Sequence, residues 1–440
     1  MIERNPYVKT HKSDKGDYFI VNTYDSTFFK VKAGQEEQFQ KAIEELEGDS
    51  EIIELLKKQN ILYEKGEKNI PGYDEVYDEF LKAMSEELVL ILLPTEGCNF
   101  RCTYCYECHD NNIMSKETQD AIIKFIEQNI SKYKSIRLDW FGGEPLCQMG
   151  IVDDISSRVK EICKKEKKAF LATMTTNGYL LDLETFKRMY RKNKVTSYQI
   201  TLDGLADTHD IQRPLANKQG TFDTILTNLR AIRDQVKSRF FKITVRCNVT
   251  REVLVHFKEY LDKMYEEFGD DDRFSFFWKI AWEPNYEENE NYLNESTFED
   301  LLKMAGDKRL RIDLIRSQFA KFGGICYASY PGCFVIGADA KVYKCTVAFD
   351  SPRNQIGVLK QDGQMEIDRE KQNYWEGKIE ADNIETCKKC SLAPSCLGIS
   401  CRNSCKNMDN QIICPEFSRQ FESTVEVLSQ NDDYFEVIGV

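Results

Sequence analysis

The stretch Glu96-Gly97-Cys98-Asn99-Phe100-Arg101-Cys102-Thr103-Tyr104-Cys105-Tyr106 puts three thiols into one short turn, directly after the apolar run Leu88 to Leu93. A C-x3-C-x2-C spacing suits a cubane iron–sulfur cluster, which takes four ligands. Three protein thiolates therefore leave one iron open to a substrate or cofactor. A zinc knuckle or part of a disulfide framework is the competing reading. A structural zinc needs a fourth ligand, and Cys108 is the only nearby candidate.

From Leu88 to about Ala281 the chain alternates strand-like and helix-like segments, the pattern of parallel β/α units. The spacing predicts strands at Leu88–Pro94, Ser135–Phe141, Ala169–Met174, Ser197–Leu202, Lys242–Asn248 and Phe274–Ile280. Helices are expected over Lys116–Ser131, Val152–Lys164, Leu183–Arg191, Phe222–Val236 and Val253–Phe268. Six such units make an α/β fold, a partial parallel (β/α)6 barrel, whose chemistry gathers at the C-terminal ends of the strands. Polar and glycine-rich segments stand at those ends. Phe141-Gly142-Gly143-Glu144-Pro145 follows the second strand, and its glycines let backbone approach a ligand closely. Thr175-Thr176-Asn177-Gly178 follows the third strand and Thr201-Leu202-Asp203-Gly204 the fourth, although Asn-Gly and Asp-Gly are also plain turn formers. Arg213 and Arg246 are candidate carboxylate clamps, a role that a surface salt bridge imitates in sequence.

Cysteines return near the C-terminus. Cys326, Cys333 and Cys345 come first, the last closing the hairpin-like Val335 to Lys344. Cys387, Cys390, Cys396, Cys401, Cys405 and Cys414 follow, giving nine thiols, where two four-thiolate clusters would use eight. Paired zinc ribbons are the alternative that Cys387-Lys388-Lys389-Cys390 alone would allow. Cys163 and Cys247 read as small buried hydrophobes.

The Cys98/Cys102/Cys105 spacing, with Tyr104 just before the third thiol, resembles the radical S-adenosylmethionine (SAM) superfamily. The resemblance implies that the open iron is chelated by the cofactor's amino and carboxylate groups. It implies, too, that one electron from the cluster cleaves SAM to methionine and a 5′-deoxyadenosyl radical. Gly142, Gly143, Glu144 and Pro145 then match the segment that binds the methionine amino group. Thr176, Asn177, Thr201 and Asp203 match positions that contact ribose hydroxyls and the methionine carboxylate, with Arg213 and Arg246 near the site. The tail resembles the SPASM extension, C-x9-15-G-x4-C followed by C-x2-C-x5-C-x3-C and a last cysteine. Two positions depart from that pattern: Ala340 stands at the glycine, and Ser400 at the x3-spaced cysteine, with Cys401 one residue later. Family topology implies one auxiliary cluster on Cys326, Cys333, Cys345 and Cys401 and a second on Cys387, Cys390, Cys396 and Cys414. Cys401 keeps the family's short offset and is preferred to Cys405. Three [4Fe-4S] clusters are expected in all.

Residues 1–87 read as a separate winged-helix-like α+β module. Tyr18 to Tyr24 and Thr27 to Val31 suit a hairpin, Gln35–Leu46 and Ser50–Gln59 carry helix-spaced apolar positions, and Ile61-Leu62-Tyr63 closes the unit. The module resembles the peptide-recognition element of ribosomal-peptide maturases, where a leader adds as a strand to a sheet edge. A structural cap is the alternative. Lys65–Asp78 reads as a linker and Glu283–Leu301 as an acidic connection. The expected order is thus 1–87, a barrel over 88–310 and a cysteine-rich domain over 311–440.

The formal net charge of -13 argues against a nucleic-acid partner, which needs basic patches. No apolar run reaches membrane-spanning length, and reduced thiols with no N-terminal signal segment point to the cytoplasm. The favoured function is a peptide maturase that installs a thioether or carbon–carbon cross-link, of ranthipeptide, sactipeptide or related type, in a precursor peptide with a leader. An electron donor such as flavodoxin or ferredoxin is implied. An anaerobic sulfatase-maturing enzyme is the second reading, and a non-catalytic iron–sulfur electron-transfer protein the third.

Overall fold

Leu88 to Leu92 are all buried because the strand Glu87–Leu92 has parallel neighbours on both sides, Ser135–Trp140 and Cys333–Ile336. A strand flanked and covered in this way needs apolar residues on both faces, hence an unbroken rather than an alternating run. The computed structural model describes every residue except 67–69, 108, 282–294, 307, 309, 379 and 403–410, and leaves out the side chains of 295, 296, 298 and 432. The expectations placed on Cys108, on Cys405 and on the connection up to residue 294 lie outside the described residues.

Two compact units interleave along the chain. One holds Lys82–Asn294 and Tyr327–Gly377. Its sheet has ten strands in the order Phe274–Ile280, Lys242–Val249, Val195–Thr201, Ala169–Thr176, Ser135–Trp140, Glu87–Leu92, Cys333–Ile336, Lys341–Tyr343, Gln355–Leu359 and Met365–Ile367. The six strands expected from the spacing are present, parallel, and within two residues of the expected ends. In Ser135–Trp140, Ile136, Leu138 and Trp140 are buried while Ser135, Arg137 and Asp139 stay half-exposed. One face of this strand is therefore apolar core and the other polar. The helices start where side-chain caps permit: Ser115 accepts from Thr118 N–H, and Asp182 from Thr185 N–H. Between Val253 and Phe268 the single expected helix is two, Arg251–Val255 and Phe257–Phe268. Thr250 caps the first earlier than the apolar pattern suggests, and His256, with φ −118° and ψ 25°, separates them. The hairpin expected after Cys333 is Cys333–Ile336 with Lys341–Tyr343, and its turn carries Ala340 at φ 65°.

The other unit holds Met1–Leu81, Glu295–Cys326 and Lys378–Val440. Its sheet runs Glu436–Ile438, Thr27–Val31, Tyr18–Asn22, Val8–Lys12. Tyr18–Asn22 and Thr27–Val31 are the expected hairpin. Helices Glu36–Glu44 and Ser50–Lys58 bury Phe39, Ile43, Ile52 and Leu56 with Ile20, Phe29 and Val31. Leu62–Glu64 pairs antiparallel with Ile2–Arg4.

Two expected connections are helical where described. Tyr73–Ser85 is a helix that buries Tyr73, Val76, Tyr77 and Phe80, an i, i+3, i+4, i+7 stripe that its charged residues mask. Glu295–Gly306 is a helix as well, with Leu301, Leu302 and Ala305 buried. The units also depart from the serial order 1–87, 88–310, 311–440. Cys333–Ile336 extends the large sheet, while Glu436–Ile438 completes the small one. Among the described residues no helix is long and apolar enough to cross a membrane.

Candidate active site

The loop after Glu87–Leu92 and the loop after Ser135–Trp140 meet backbone to backbone. Gly143 N–H donates to the Thr95 carbonyl at 3.1 Å, and Glu144 N–H to the Gly97 carbonyl at 3.0 Å. A Cβ on Gly142, whose φ is +115°, would stand 2.4 Å from the Thr95 oxygen, and one on Gly143 2.3 Å from the Gly97 oxygen. These glycines are required by the thiol loop itself, and both also line the cavity beside it.

That cavity measures about 360 Å³. Cys98, Cys102 and Cys105 open onto it, as do Thr176, Asn177, Thr201, Arg213 and Arg246. The structure thus brings together the triad and most of the side chains proposed from the strand ends. Glu144, Pro145 and Asp203 do not line the cavity. They are buried, and the two carboxylates are satisfied by protein groups. Glu144 accepts from Leu146 N–H at 2.9 Å, Thr176 Oγ1 at 2.8 Å and Asn177 N–H at 2.7 Å, so it acts by holding the Thr176–Asn177 turn. Asn177 in turn donates to Asn99 Oδ1 at 2.8 Å, inside the thiol loop.

Asp203 organises the other wall. It accepts from the Tyr104 hydroxyl and from Asn248 N–H, the latter at 2.6 Å, and lies 3.9 Å from Arg213 Nη1. Arg213 and Asn248 also donate to the Tyr104 oxygen, at 2.7 and 3.0 Å. Burial pushes the Asp203 carboxyl up, while Arg213 pulls it down. Three side chains from three segments, Asp203, Arg213 and Asn248, therefore fix the aromatic ring between Cys102 and Cys105. Below them His209 Nδ1 accepts from Asp203 N–H at 3.0 Å, which sets its tautomer; burial pushes this imidazole down, so it is neutral. Asn248 and Gln199, which both line the cavity, and His209 escaped the sequence reading. Asn248 enters that reading only as the end of the expected strand Lys242–Asn248, and nothing local marks any of the three.

Thiol chemistry in the cavity follows from burial. It pushes Cys98 up to about 12 and Cys105 to about 11, and raises Cys102 as well. Without a bound metal these side chains are neutral; a thiophilic metal takes them as thiolates. Three soft donors on one loop, facing a cavity with polar walls, fit a site-differentiated cluster and a polar cofactor on its open iron. Among the described residues no three His, Cys, Asp or Glu side chains close on a single metal ion. A cubane gives each thiolate a different iron, so its ligands stand further apart than those of one ion.

The tail thiols divide between the units. Cys326 and Cys401 belong to the unit with the small sheet, Cys333 and Cys345 to the unit with the large one. Cys333 and Cys345 are braced by groups the sequence did not reveal. The fully buried Lys344 ammonium donates to the Cys333 carbonyl at 2.7 Å and pairs with Glu376 at 2.8 Å, and Asn354 Oδ1 accepts from Cys345 N–H at 2.8 Å. Cys387, Cys390, Cys396 and Cys414 all lie in the small-sheet unit, and each of the other three raises the pKa of Cys396. Burial is the larger cause there and pushes Cys396 to about 12. Gly398, at φ +69°, turns the chain back beside Cys387 Sγ, which a Cβ would meet at 3.4 Å. These four soft donors fit a fully ligated cluster.

Comparison with known proteins agrees with this geometry. Residues 92–261 match the radical SAM superfamily. A cysteine-type anaerobic sulfatase-maturating enzyme of Clostridium novyi (strain NT) is 25% identical over 380 residues, 78% of this chain and 96% of the relative. Native anSMEcpe with bound AdoMet and Cp18Cys peptide superposes with a TM-score of 0.57 at 20% identity, over 78% of this chain and 97% of that one. Streptococcus suis SuiB bound to precursor peptide SuiA gives 0.51 at 15% identity, over 94% and 99%. The α/β fold with its large, mostly parallel sheet is that of these structures. A match to this superfamily implies SAM and a [4Fe-4S] cluster. The triad, the cavity and the matched segment agree on one point: residues 92–261 carry a radical SAM domain.

Proposed function

We propose that the chain is a peptide maturase that cross-links side chains, through a thioether or a carbon–carbon bond, in a ribosomally made precursor. The observation that carries this reading is the small-sheet unit. A hairpin sheet with an edge strand, Val8–Lys12, offers main-chain groups to an extended leader, a mode of recognition that a small-molecule enzyme does not need. The breadth of the fold likeness to SuiB, 94% of the chain, is in keeping with it.

In this reading Cys98, Cys102 and Cys105 hold the cluster. Gly142, Gly143, Thr176, Asn177, Thr201, Arg213 and Arg246 contact the cofactor, with Glu144, Pro145 and Asp203 supporting them. When bound, SAM and the reduced cluster supply a 5′-deoxyadenosyl radical able to take a hydrogen atom from carbon. The chain's own part is to hold that chemistry against one C–H bond and keep water out. Two auxiliary clusters, on Cys326/Cys333/Cys345/Cys401 and on Cys387/Cys390/Cys396/Cys414, would be fully thiolate-ligated and so would serve electron transfer rather than direct substrate binding. A flavodoxin or ferredoxin is the proposed donor.

The sulfatase-maturating reading is favoured by one observation, the 25% identity over 380 residues to the Clostridium novyi enzyme. Reaction of the reduced enzyme with precursor peptide and SAM separates the two. A product lighter by two hydrogens, with a new link between two side chains, supports the proposal. Turnover of a sulfatase-derived cysteine peptide instead, with the precursor untouched, would refute it.

A further inference from the structure

In the unit with the large sheet, two fully buried side chains, Lys344 and Asn354, hold the backbone on which Cys333 and Cys345 stand. The hairpin pairs Val335 with Tyr343 and Ile336 with Val342, and the same register carried two residues further sets Cys333 across from Cys345. Residues opposite one another in an antiparallel pair stand about 5 Å apart at Cβ. The Lys344 ammonium has three protons to give, and all three are placed. It donates to the Tyr330 carbonyl at 2.8 Å, the Cys333 carbonyl at 2.7 Å and Glu376 Oε1 at 2.8 Å. Gln372 Nε2 donates to both oxygens of that carboxylate, at 3.0 and 3.1 Å. Asn354 does for Cys345 what Lys344 does for Cys333. Its Oδ1 accepts from Cys345 N–H at 2.8 Å and from Lys344 N–H at 3.1 Å, and its Nδ2 donates to the Cys345 carbonyl at 2.8 Å.

A buried ammonium and carboxylate both lose their water, so such a pair stabilises a fold no better than apolar side chains of the same volume. What the pair adds is direction: three bonds of fixed geometry end on the segment from Tyr330 to Cys333, and a further three tie Cys345 and its neighbour to Asn354. We propose that Lys344 and Asn354 are positioning residues that preform Cys333 and Cys345 as neighbouring ligands, so that iron bound there is retained. The inference rests on these two thiols ligating an iron–sulfur cluster; it does not depend on which substrate is modified. A hydrogen bond to a ligand's own backbone limits how far that ligand can move from the metal, and loss of such an outer partner commonly costs 10- to 100-fold in metal affinity.

The test uses the full chain, reconstituted anaerobically, with Cys98, Cys102 and Cys105 changed to Ala so that the first cluster's signal is absent. Iron is counted, its release to a chelator is timed, and the EPR spectrum of the reduced chain is recorded; Cys345→Ala serves as the reference for loss of this site. Lys344→Met is expected to release the iron that Cys345→Ala lacks about tenfold faster than the unsubstituted chain, and to alter one auxiliary signal while the other stays as it was. Asn354→Ala should alter the same signal. Because Lys344→Met leaves the Glu376 carboxylate without its cation, a double variant, Lys344→Met with Glu376→Gln, separates position from stability. It should recover the denaturant midpoint of the unsubstituted chain and still release iron fast. A double variant with the unsubstituted release rate and spectrum would show that the pair serves only the fold, and would overturn the Lys344 half of the proposal; an unchanged signal in Asn354→Ala would overturn the other half. Equal iron in the unsubstituted and Cys345→Ala chains would overturn the reading of these thiols as ligands, and this inference with it.

Discussion

The thiols at Cys98, Cys102 and Cys105 and those at Cys387, Cys390, Cys396 and Cys414 are built in opposite ways. The first three open onto a cavity, and their loop is shaped from outside by glycines and by a hydrogen-bonded aromatic ring. The other four come from the small-sheet unit, do not line that cavity, and range from the buried Cys396 to the exposed Cys414. An incomplete donor set next to empty volume suits exchange of a ligand; a set of four donors outside such a cavity suits permanence. The lesson is that thiol count alone does not separate a reacting centre from a supporting one. What stands opposite the thiols does.

Removing the open site altogether should have the largest effect. With Cys98, Cys102 and Cys105 all changed to Ala, SAM cleavage is expected to vanish and bound iron to fall by about a third, from about twelve atoms to about eight for cubane clusters. Unchanged iron in that variant would break the comparison at its root. Next comes the wall of the open site. Asp203→Asn weakens the group that gathers Tyr104, Arg213 and Asn248, and a displaced ring beside Cys105 is expected to cost about 10²-fold in cofactor cleavage. Tyr104→Phe keeps the ring and removes one hydroxyl, so about a tenfold loss should suffice there. Equal losses in the two variants would mean that the carboxylate acts only through the Tyr104 hydroxyl and not by gathering Arg213 and Asn248. Cys396→Ala probes the closed site: iron should fall by about another third while equilibrium dialysis still finds SAM bound. Loss of SAM binding would show that the two sites are not separable.

The smallest effect is set away from both sites and serves as a control on stability. Arg230, Lys263 and Arg233 surround Glu267, and the Arg230 pairing above all holds its carboxyl down at about 2. Because the folded value lies below the usual 4.5, this stabilisation is complete above pH 4.5 and is lost as pH falls toward 2. Glu267→Gln should therefore cost about 1 kcal/mol near neutral pH, with the difference from the unsubstituted chain shrinking through that window. Denaturant melts at several pH values would check it; a gap that stays constant with pH would rule out the ion pairs as its cause.

The parallel strands were legible because a period of two, a run of buried residues and a polar strand end each leave a local mark. The triad and the Gly142-Gly143 pair were legible as spacing, yet the main demand on those glycines, contact with the Thr95 and Gly97 carbonyls, belongs to two loops meeting and is written in neither alone. Asn248 and His209 were invisible for a related reason. Their roles arise only when Asp203 is placed, and an asparagine near a strand end or a histidine on a short helix has no periodic signature. The helix Tyr73–Ser85 was readable in principle. Its apolar stripe is regular, but Pro71-Gly72 and the charges beside it favour a linker when the stripe is not counted.

The pairing of Glu436–Ile438 with Thr27–Val31 bears on how the protein is made. Chains emerge from the ribosome N-terminus first, so the hairpin appears long before the segment that completes its sheet. Until then Thr27–Val31 presents an open edge, with Phe28 and Phe29 on it, to whatever is near. Phe435, which packs edge-on against Phe19 and Phe28, arrives with that same late segment. Synthesis that stalls before residue 436 should leave a sticky intermediate.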